Sequence, residues 1–402
     1  MLRRSLFSGI LAFAFSIALS ASAAEPSVFD EAWSTVKRHF YDRDLHGVDW
    51  KGMRDRYRPE FDAAETREEG YDVIRRMLGE LGASHTALID GGVFHDHFEN
   101  EMSGARRRQA AIEISATDEG YFVASVLEGS KAAKAGVHKG DRVLRIDGEK
   151  PEESPLLVDA GGDTGIPGDP HFFLRLPEEG EDYELTLQAD RRGESRTVSF
   201  APTVTSMISA TRQSVRVIEE RGERLGYIHL WHVLHNEIAN QFEKAIAGPF
   251  ADCDAMVLDL RGRGGSPIVL ERVLASLRKK SSWLRRGKGW RKPVVILIDE
   301  NSRSAKEILA YKFKKERLGP VVGRKTPGAV LGSNFFPLKD GSMLLLPVMD
   351  ATGFAGGVRL EGVGVEPTVS VDRPDRWNGG RDFILEEGVH QAIRQILARE
   401  PI

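Results

Sequence analysis

Ala255-Met256-Val257-Leu258-Asp259-Leu260-Arg261-Gly262-Arg263-Gly264-Gly265-Ser266 is the stretch that decides the architecture. Its first half is a continuous apolar run, the pattern of a strand buried on both faces of a parallel sheet. Its second half is a glycine cluster, which lets the backbone approach a neighbour closely and turn N–H groups outward. Outward donors at a strand end suit an oxyanion hole and, equally, a phosphate cradle. The Gly-Lys-Ser/Thr ending of a nucleotide-binding loop is missing, so nucleotides are discounted. Around this stretch, residues 225–230 read as a strand, 237–247 as an amphipathic helix, 268–277 as a helix and 294–298 as a second buried strand. Such alternation predicts an α/β layer with helices packed on a largely parallel sheet. Chemistry in such sheets collects at the carboxyl ends of the strands.

The second informative stretch lies at such an end. Asp299-Glu300-Asn301-Ser302-Arg303-Ser304-Ala305-Lys306-Glu307-Ile308 follows the strand 294–298 and opens a helix that reaches Lys315. A serine at a strand-to-helix turn is held at the lip of the sheet beside helix N-terminal N–H groups. Capping the helix is the plainer role for Ser302 or Ser304.

Upstream, Gly129-Ser130-Lys131-Ala132-Ala133-Lys134-Ala135-Gly136-Val137-His138-Lys139-Gly140-Asp141-Arg142-Val143-Leu144-Arg145-Ile146-Asp147-Gly148 resembles the PDZ signature of bacterial proteases. The pattern is a short helix, a Lys-Gly-Asp turn, an apolar strand and an Asp-Gly turn, preceded by strands near 111–114 and 121–126. Such modules bind an extended peptide by strand addition and often capture its C-terminal carboxylate, although a spacer or lid is the plainer role. Nearer the amino terminus, Phe29, Trp33, Val36 and Phe40, then Tyr71, Ile74, Met77 and Leu78, recur at helical spacing and read as the core of a small helical unit. Gly91-Gly92 reads as a break and 103–108 as a polar connector.

Taken together, an Asp-Leu-Arg-Gly-x-x-Gly-Gly strand end, a buried strand and a Ser-x-Ser-Ala-x-Glu helix start resemble the tricorn-core and C-terminal-processing serine peptidase superfamily. Val321-Val322-Gly323-Arg324-Lys325-Thr326-Pro327-Gly328 and Leu360-Glu361-Gly362-Val363-Gly364-Val365-Glu366-Pro367 match the same pattern, so the likeness covers most of 27–372. It implies a multidomain α/β protein: leader 1–24, helical unit 25–107, PDZ unit 108–205, ClpP/crotonase-like peptidase core 206–375 and helical tail 376–402. It makes Ser304 the nucleophile and calls for no metal or organic cofactor.

The processing branch of that superfamily sets a lysine in a Gly-Lys-Gly-like stretch after the Thr-x-Gly turn. Here that slot is Ala329, and neither Lys306 nor Lys325 occupies it. The tricorn branch uses a histidine just after a serine in the N-terminal unit, with a distant glutamate. Leu81-Gly82-Ala83-Ser84-His85-Thr86-Ala87-Leu88 matches the first element, and Glu361 falls where the glutamate is expected. The resemblance therefore implies that His85 takes the Ser304 proton and that Glu361 steadies the set through Ser84. Gly264, Gly265 and the Ala305 N–H would hold the oxyanion. Arg263 stands where an asparagine is usual, and Lys306 replaces a small or polar residue. These departures, with Ala329, motivate the alternative of a peptide- or ligand-binding protein that keeps the fold without turnover.

Other candidates are weaker. His229, His232 and His235 alternate faces on a strand and make a poor shared metal site. His95-Asp96-His97 reads as a solvated loop. The basic stretch 279–292 interleaves Trp283 and Trp290, a pattern seen in binders of single-stranded nucleic acid. A solvated loop near the cleft or at lipid headgroups suits this chain better. Arg3 and Arg4, an apolar run over 6–19 and Ala21-Ser22-Ala23 read as a secretory signal peptide, too short for a comfortable membrane span. Without those two arginines, 54 basic residues face 60 acidic ones, which gives no global attraction to nucleic acid. Cys253, the single cysteine, rules out an internal disulfide. The expectation is thus an exported, periplasmic serine endopeptidase acting on polypeptides, with chain ends docking on the PDZ unit and room for peripheral membrane contact.

Overall fold

The computed structural model describes residues 26–161, 170–278 and 289–399. The expected leader lies outside them, as does most of the basic stretch. Helices α1 (Pro26–His39), α2 (Trp50–Asp62) and α3 (Arg67–Gly79) lead into strand β1 (Ala87–Ile89). Thr66 starts α3 with a reciprocal cap, its hydroxyl accepting from Glu69 N while the Glu69 carboxylate accepts from Thr66 N. Phe29, Val36, Phe40, Tyr71, Ile74, Met77 and Leu78 are all at most 3% exposed, as helical spacing predicts. Trp33 is half-buried instead: its Nε1–H donates to Trp50 O and Trp50 returns the bond to Trp33 O (2.7 and 2.9 Å), which locks α1 to the start of α2.

Three readings of the connector are corrected. Gly91–Val93 is a helical turn rather than a break, because the Asp90 carboxylate accepts from Gly92 N and Val93 N. His95-Asp96-His97 lies in a π-helical turn, Phe94–Phe98, and not in a loop; His97 stacks on Phe173 at 4.0 Å, and burial pushes its imidazole down to about 4. Arg107–Gln109 pairs with Thr203–Thr205, so the polar connector is partly a two-stranded ribbon.

The PDZ unit is a seven-stranded sheet. Its strands are β2 (Ile112–Thr117), β3 (Gly120–Val126), β4 (Arg142–Ile146), β5 (Leu157–Asp159), β6 (His171–Leu174), β7 (Tyr183–Gln188) and β8 (Ser195–Phe200), in the order β5-β6-β2-β3-β4-β7-β8. The edge of β2 away from β3 pairs with β6 through Ile114–Phe172 and Ser115–His171. A peptide adding a strand along that edge must therefore displace β6. The Lys-Gly-Asp turn faces the peptidase core: Lys139 Nζ lies 2.7 Å from Asp375 and 3.4 Å from Asp299, and Lys139 O accepts from Asn378.

The core sheet contains β9 (Arg216–Glu220), β10 (Glu223–His229), β11 (Ala255–Asp259), β12 (Val294–Ile298) and β13 (Val321–Gly323). Between them run α4 (Asn236–Ala247), α5 (Pro267–Leu277) and α6 (Ala305–Lys315). Strands β14 (Leu331–Pro337) and β15 (Met343–Asp350) leave the core and join β1 as a separate sheet, β1-β15-β14, against the N-terminal helices. β16 (Val369–Ser370) completes the main sheet, and α7 (Phe383–Leu397) follows. The order is β9-β10-β11-β12-β13-β16, parallel except for β9. β11 and β12 are buried along their whole length. Met256, Leu258, Ile296 and Ile298 meet α4, α5 and α6 on one face, while Val257, Val295 and Leu297 meet α7 on the other, the two-residue alternation of a pleated strand. Trp290 belongs to this core (5% exposed, Nε1–H to Pro293 O), so it is not the solvent-facing aromatic the basic stretch suggests.

An ionic knot closes the strand ends. Arg261 bonds Asp259 (Nε–Oδ1, 2.9 Å) and, through both terminal nitrogens, Asp382 at the start of α7 (2.8 and 2.7 Å). Tyr227 donates to Asp259 Oδ2. Burial pushes the Asp259 carboxyl up, but the Arg261 charge and its hydrogen bonds more than offset this and hold it well below the usual carboxylate range. Because this folded value lies below the unfolded one, the contribution is present above about pH 4 and is lost as pH falls. Arg261→Met is expected to cost about 3–5 kcal/mol at pH 7, since it strands a buried carboxylate, and to shift acid unfolding to higher pH. Urea unfolding followed across a pH series measures both.

Candidate active site

A cavity of about 1580 Å³ lies where the three units meet. His85 lines it from the N-terminal unit, Ser115 from the PDZ sheet, and Gly264, Gly265 and Ser304 from the core. The two candidate serines separate cleanly. Ser302 is fully buried and its hydroxyl is consumed: it accepts from Asp299 N and lies 3.1 Å from both Leu260 O and Asp299 Oδ1. Ser304 stands immediately before α6 with φ 57° and ψ −125°, a conformation that L-residues rarely adopt and that presents the side chain at the head of a helix. Gly264 packs directly against it, so closely that a Cβ at position 264 would fall 2.6 Å from the Ser304 Cβ.

Two carboxylates divide the backbone of residues 328–330 between them. Glu307, in the first turn of α6, accepts from Gly328 N (2.8 Å), Ala329 N (2.8 Å), Thr326 Oγ1 (2.5 Å) and Ser304 N (3.2 Å). Burial pushes its carboxyl up to about 7, against hydrogen bonds that favour the anion. Ser304 N also donates to Ala329 O (2.8 Å). The next residue, Val330, donates instead to Glu361 Oε2 (2.7 Å). Glu361 reaches the N-terminal unit in turn, accepting from Ser84 N (3.0 Å) and from the Ser84 hydroxyl (2.9 Å).

Ser84 Oγ lies 2.9 Å from His85 Nδ1. A hydroxyl that gives its proton to Glu361 can only accept at this contact, so Nδ1 carries the ring proton and Nε2 keeps its lone pair. His85 itself has φ 58°. Ser84, His85 and Glu361 thus form one hydrogen-bonded chain. Glu361 connects through Val330 to the loop that holds Ser304 N. Ala305 is the first, fully buried residue of α6.

The lysines lie elsewhere. Lys306 is fully buried, donates to Trp231 O (3.1 Å) and Arg261 O (3.0 Å), and is pushed down to about 7 by burial. Lys325 is an exposed residue paired with Glu366 at 3.0 Å. Ala329 is buried, with both backbone polar groups engaged around Ser304. Glu307 and Thr326 enter the sequence reading only as letters in motifs, yet they anchor the site. A glutamate three residues into a helix that opens on serine is the signal that could have found the first of them. Of the histidine trio, His229 bonds Glu128 and Arg261 O, while His232 Nδ1 accepts from Leu234 N. Glu307→Gln places amide hydrogens among backbone donors and is expected to lower stability by about 1–3 kcal/mol, read from the urea midpoint.

The profile of peptidase family S41 matches residues 224–371, that of the tricorn protease C1 domain matches 22–79, and that of the PDZ domain matches 99–156. Tricorn protease homologs 2 and 1 of Streptomyces coelicolor are each 28% identical over 93% and 91% of this chain. This chain spans only 32% and 35% of their respective lengths. The carboxyl-terminal-processing protease of Picosynechococcus is 24% identical over 87% of this chain and 86% of its own. Among solved structures, the photosystem II D1 C-terminal processing protease shares the fold with a TM-score of 0.54 at 21% identity, over 89% of this chain and 98% of that one. The tricorn protease does so with 0.53 at 21% identity, over 92% and 37%. Residues 224–371 are thus a peptidase family S41 domain, the family of the tricorn and C-terminal-processing proteases to which this chain is similar, and the tricorn C1 and PDZ matches precede it.

Proposed function

We propose that this protein is a serine endopeptidase that cleaves polypeptides through an acyl-enzyme on Ser304. The observation that carries the reading is the hydrogen-bonded chain Glu361–Ser84–His85, whose histidine lines one cavity with a serine held at positive φ. In this scheme His85 Nε2 takes the Ser304 proton as Oγ bonds to the scissile carbonyl carbon. Charge on the carbonyl oxygen is met by N–H groups of the Gly264–Gly265 turn and Ala305. The C–N bond breaks, and His85 returns the proton to the leaving amine. A water, deprotonated by the same imidazole, then releases the acid. Glu361, acting through Ser84, fixes the ring tautomer. The tricorn-like Ser–His set is favoured over a Ser–Lys dyad because Ala329 fills the lysine slot and Lys306 is committed to two carbonyls. The substrates are polypeptide chains, with the PDZ unit at the cavity wall. The leader read in residues 1–24 would deliver the enzyme to the periplasm.

Labelling with a fluorophosphonate probe tests the reading. Wild type is expected to be captured covalently, and Ser304→Ala to lose all capture and turnover. His85→Ala is expected to reduce turnover by about 100-fold or more, while Lys325→Ala and Lys306→Met stay within a few-fold of wild type. Turnover that survives His85→Ala but vanishes in a lysine variant would transfer the base to that lysine. Folded wild-type protein that the probe never labels would leave a binding protein in place of an enzyme.

A further inference from the structure

The oxyanion turn has little intrinsic stiffness. Gly262 and Gly265 sit at φ 89° and 149°, conformations that favour glycine, and Gly264 cannot carry a side chain because Ser304 occupies the space. Donors assist a developing negative charge only when they are aimed in advance, so the turn must borrow rigidity from its neighbours. On the downstream side the source is backbone: Val233 N donates to Gly264 O (3.0 Å) and Ser266 N to Val233 O (2.9 Å). On the upstream side Arg261 O accepts from Lys306 Nζ (3.0 Å) and lies 3.0 Å from His229 Nε2, and within the turn one side chain adds a further hold. Arg263 reaches out of the core, with NH2 2.6 Å from Glu113 Oε1 on β2 and Nε 2.9 Å from Glu101 Oε1 on the short helix Glu99–Ser103. The rings of Phe98 and Phe173 lie 5.2 and 5.6 Å from the guanidinium carbon.

We infer that Arg263 is a positioning residue: its grip on Glu113 and Glu101 sets the aim of the Gly264–Gly265 N–H groups. The inference rests on the proposed role of that turn beside Ser304. A planar guanidinium hydrogen-bonded to Glu113, ion-paired with Glu101 and flanked by two rings is restrained from several sides at once, although its Nε–H finds no acceptor in line among the described residues. Both carboxylates belong to units other than the one carrying Ser304. The chemistry of the core is therefore tuned from the PDZ sheet and the connector, and the arginine that departs from the family pattern becomes a working part.

Full-length Arg263→Ala, Arg263→Lys, Glu113→Gln and Ser304→Ala are compared with wild type. Three quantities are read: the fluorophosphonate capture rate, kcat and KM on fluorescein-labelled unfolded casein, and the thermal midpoint. Arg263→Ala is expected to slow capture and lower kcat by about tenfold or more with KM nearly constant, because only stabilisation of the transition state is lost. Arg263→Lys is expected to recover part of the loss, and Glu113→Gln to show the same split more weakly. If Arg263→Ala does not fold, the last two variants supply the readout. Folded variants with capture and kcat within about twofold of wild type would overturn the inference. Capture that persists in Ser304→Ala would instead remove the peptidase reading beneath it.

Discussion

Everything at this site depends on how residues 328–330 share out their N–H groups. Gly328 and Ala329 give theirs to Glu307, on the helix that Ser304 opens. Val330 gives its own to Glu361, the acceptor of Ser84. Three consecutive amides thereby tie a strand-to-helix turn of the core to a loop of the N-terminal unit. Glu307 is fully buried and would be costly alone; four donors make it tolerable, and three more meet the partly exposed Glu361. Removing either carboxylate would break hydrogen bonds and also free one half of the site from the other.

Backbone strain accompanies this order. Ser304 and His85 both have φ near 57°, and a residue with a Cβ in such a conformation typically costs about 1–3 kcal/mol. Ser304 is held there by the bonds of its N–H to Ala329 O and Glu307. The turn between Leu81 and His85 is held by Glu361. Nearby ion pairs, the buried Arg261–Asp259 and the partly exposed Lys139–Asp375, tie down the strand ends around these residues.

How much of this could be read in the letters follows from the range of each interaction. Strands such as Val294–Ile298 and helices such as Ala305–Lys315 are legible because burial on two faces, or on one stripe, writes itself into neighbouring residues. The contact between Ser84 and Glu361 spans 277 positions, and no periodicity reports such a meeting; family likeness alone suggests it. Arg263 looks like a defect in a motif because its partners lie on other units. Trp290 looks exposed because it sits among lysines and arginines, yet its ring fills the core. The His95–His97 turn looks like a loop because aromatic stacking across units, and not local propensity, holds it.

The pairing of β6 with β2 leaves β2 of the PDZ sheet mated along both borders. A segment that would zip onto β2 must first open that pairing, and among the described residues the borders of the sheet left open are those of β5 and β8. The seal is short, with register pairs at Ile114–Phe172 and Ser115–His171 and one more bond from Ala116 N to Pro170 O, so it is a latch that resists accident rather than a weld.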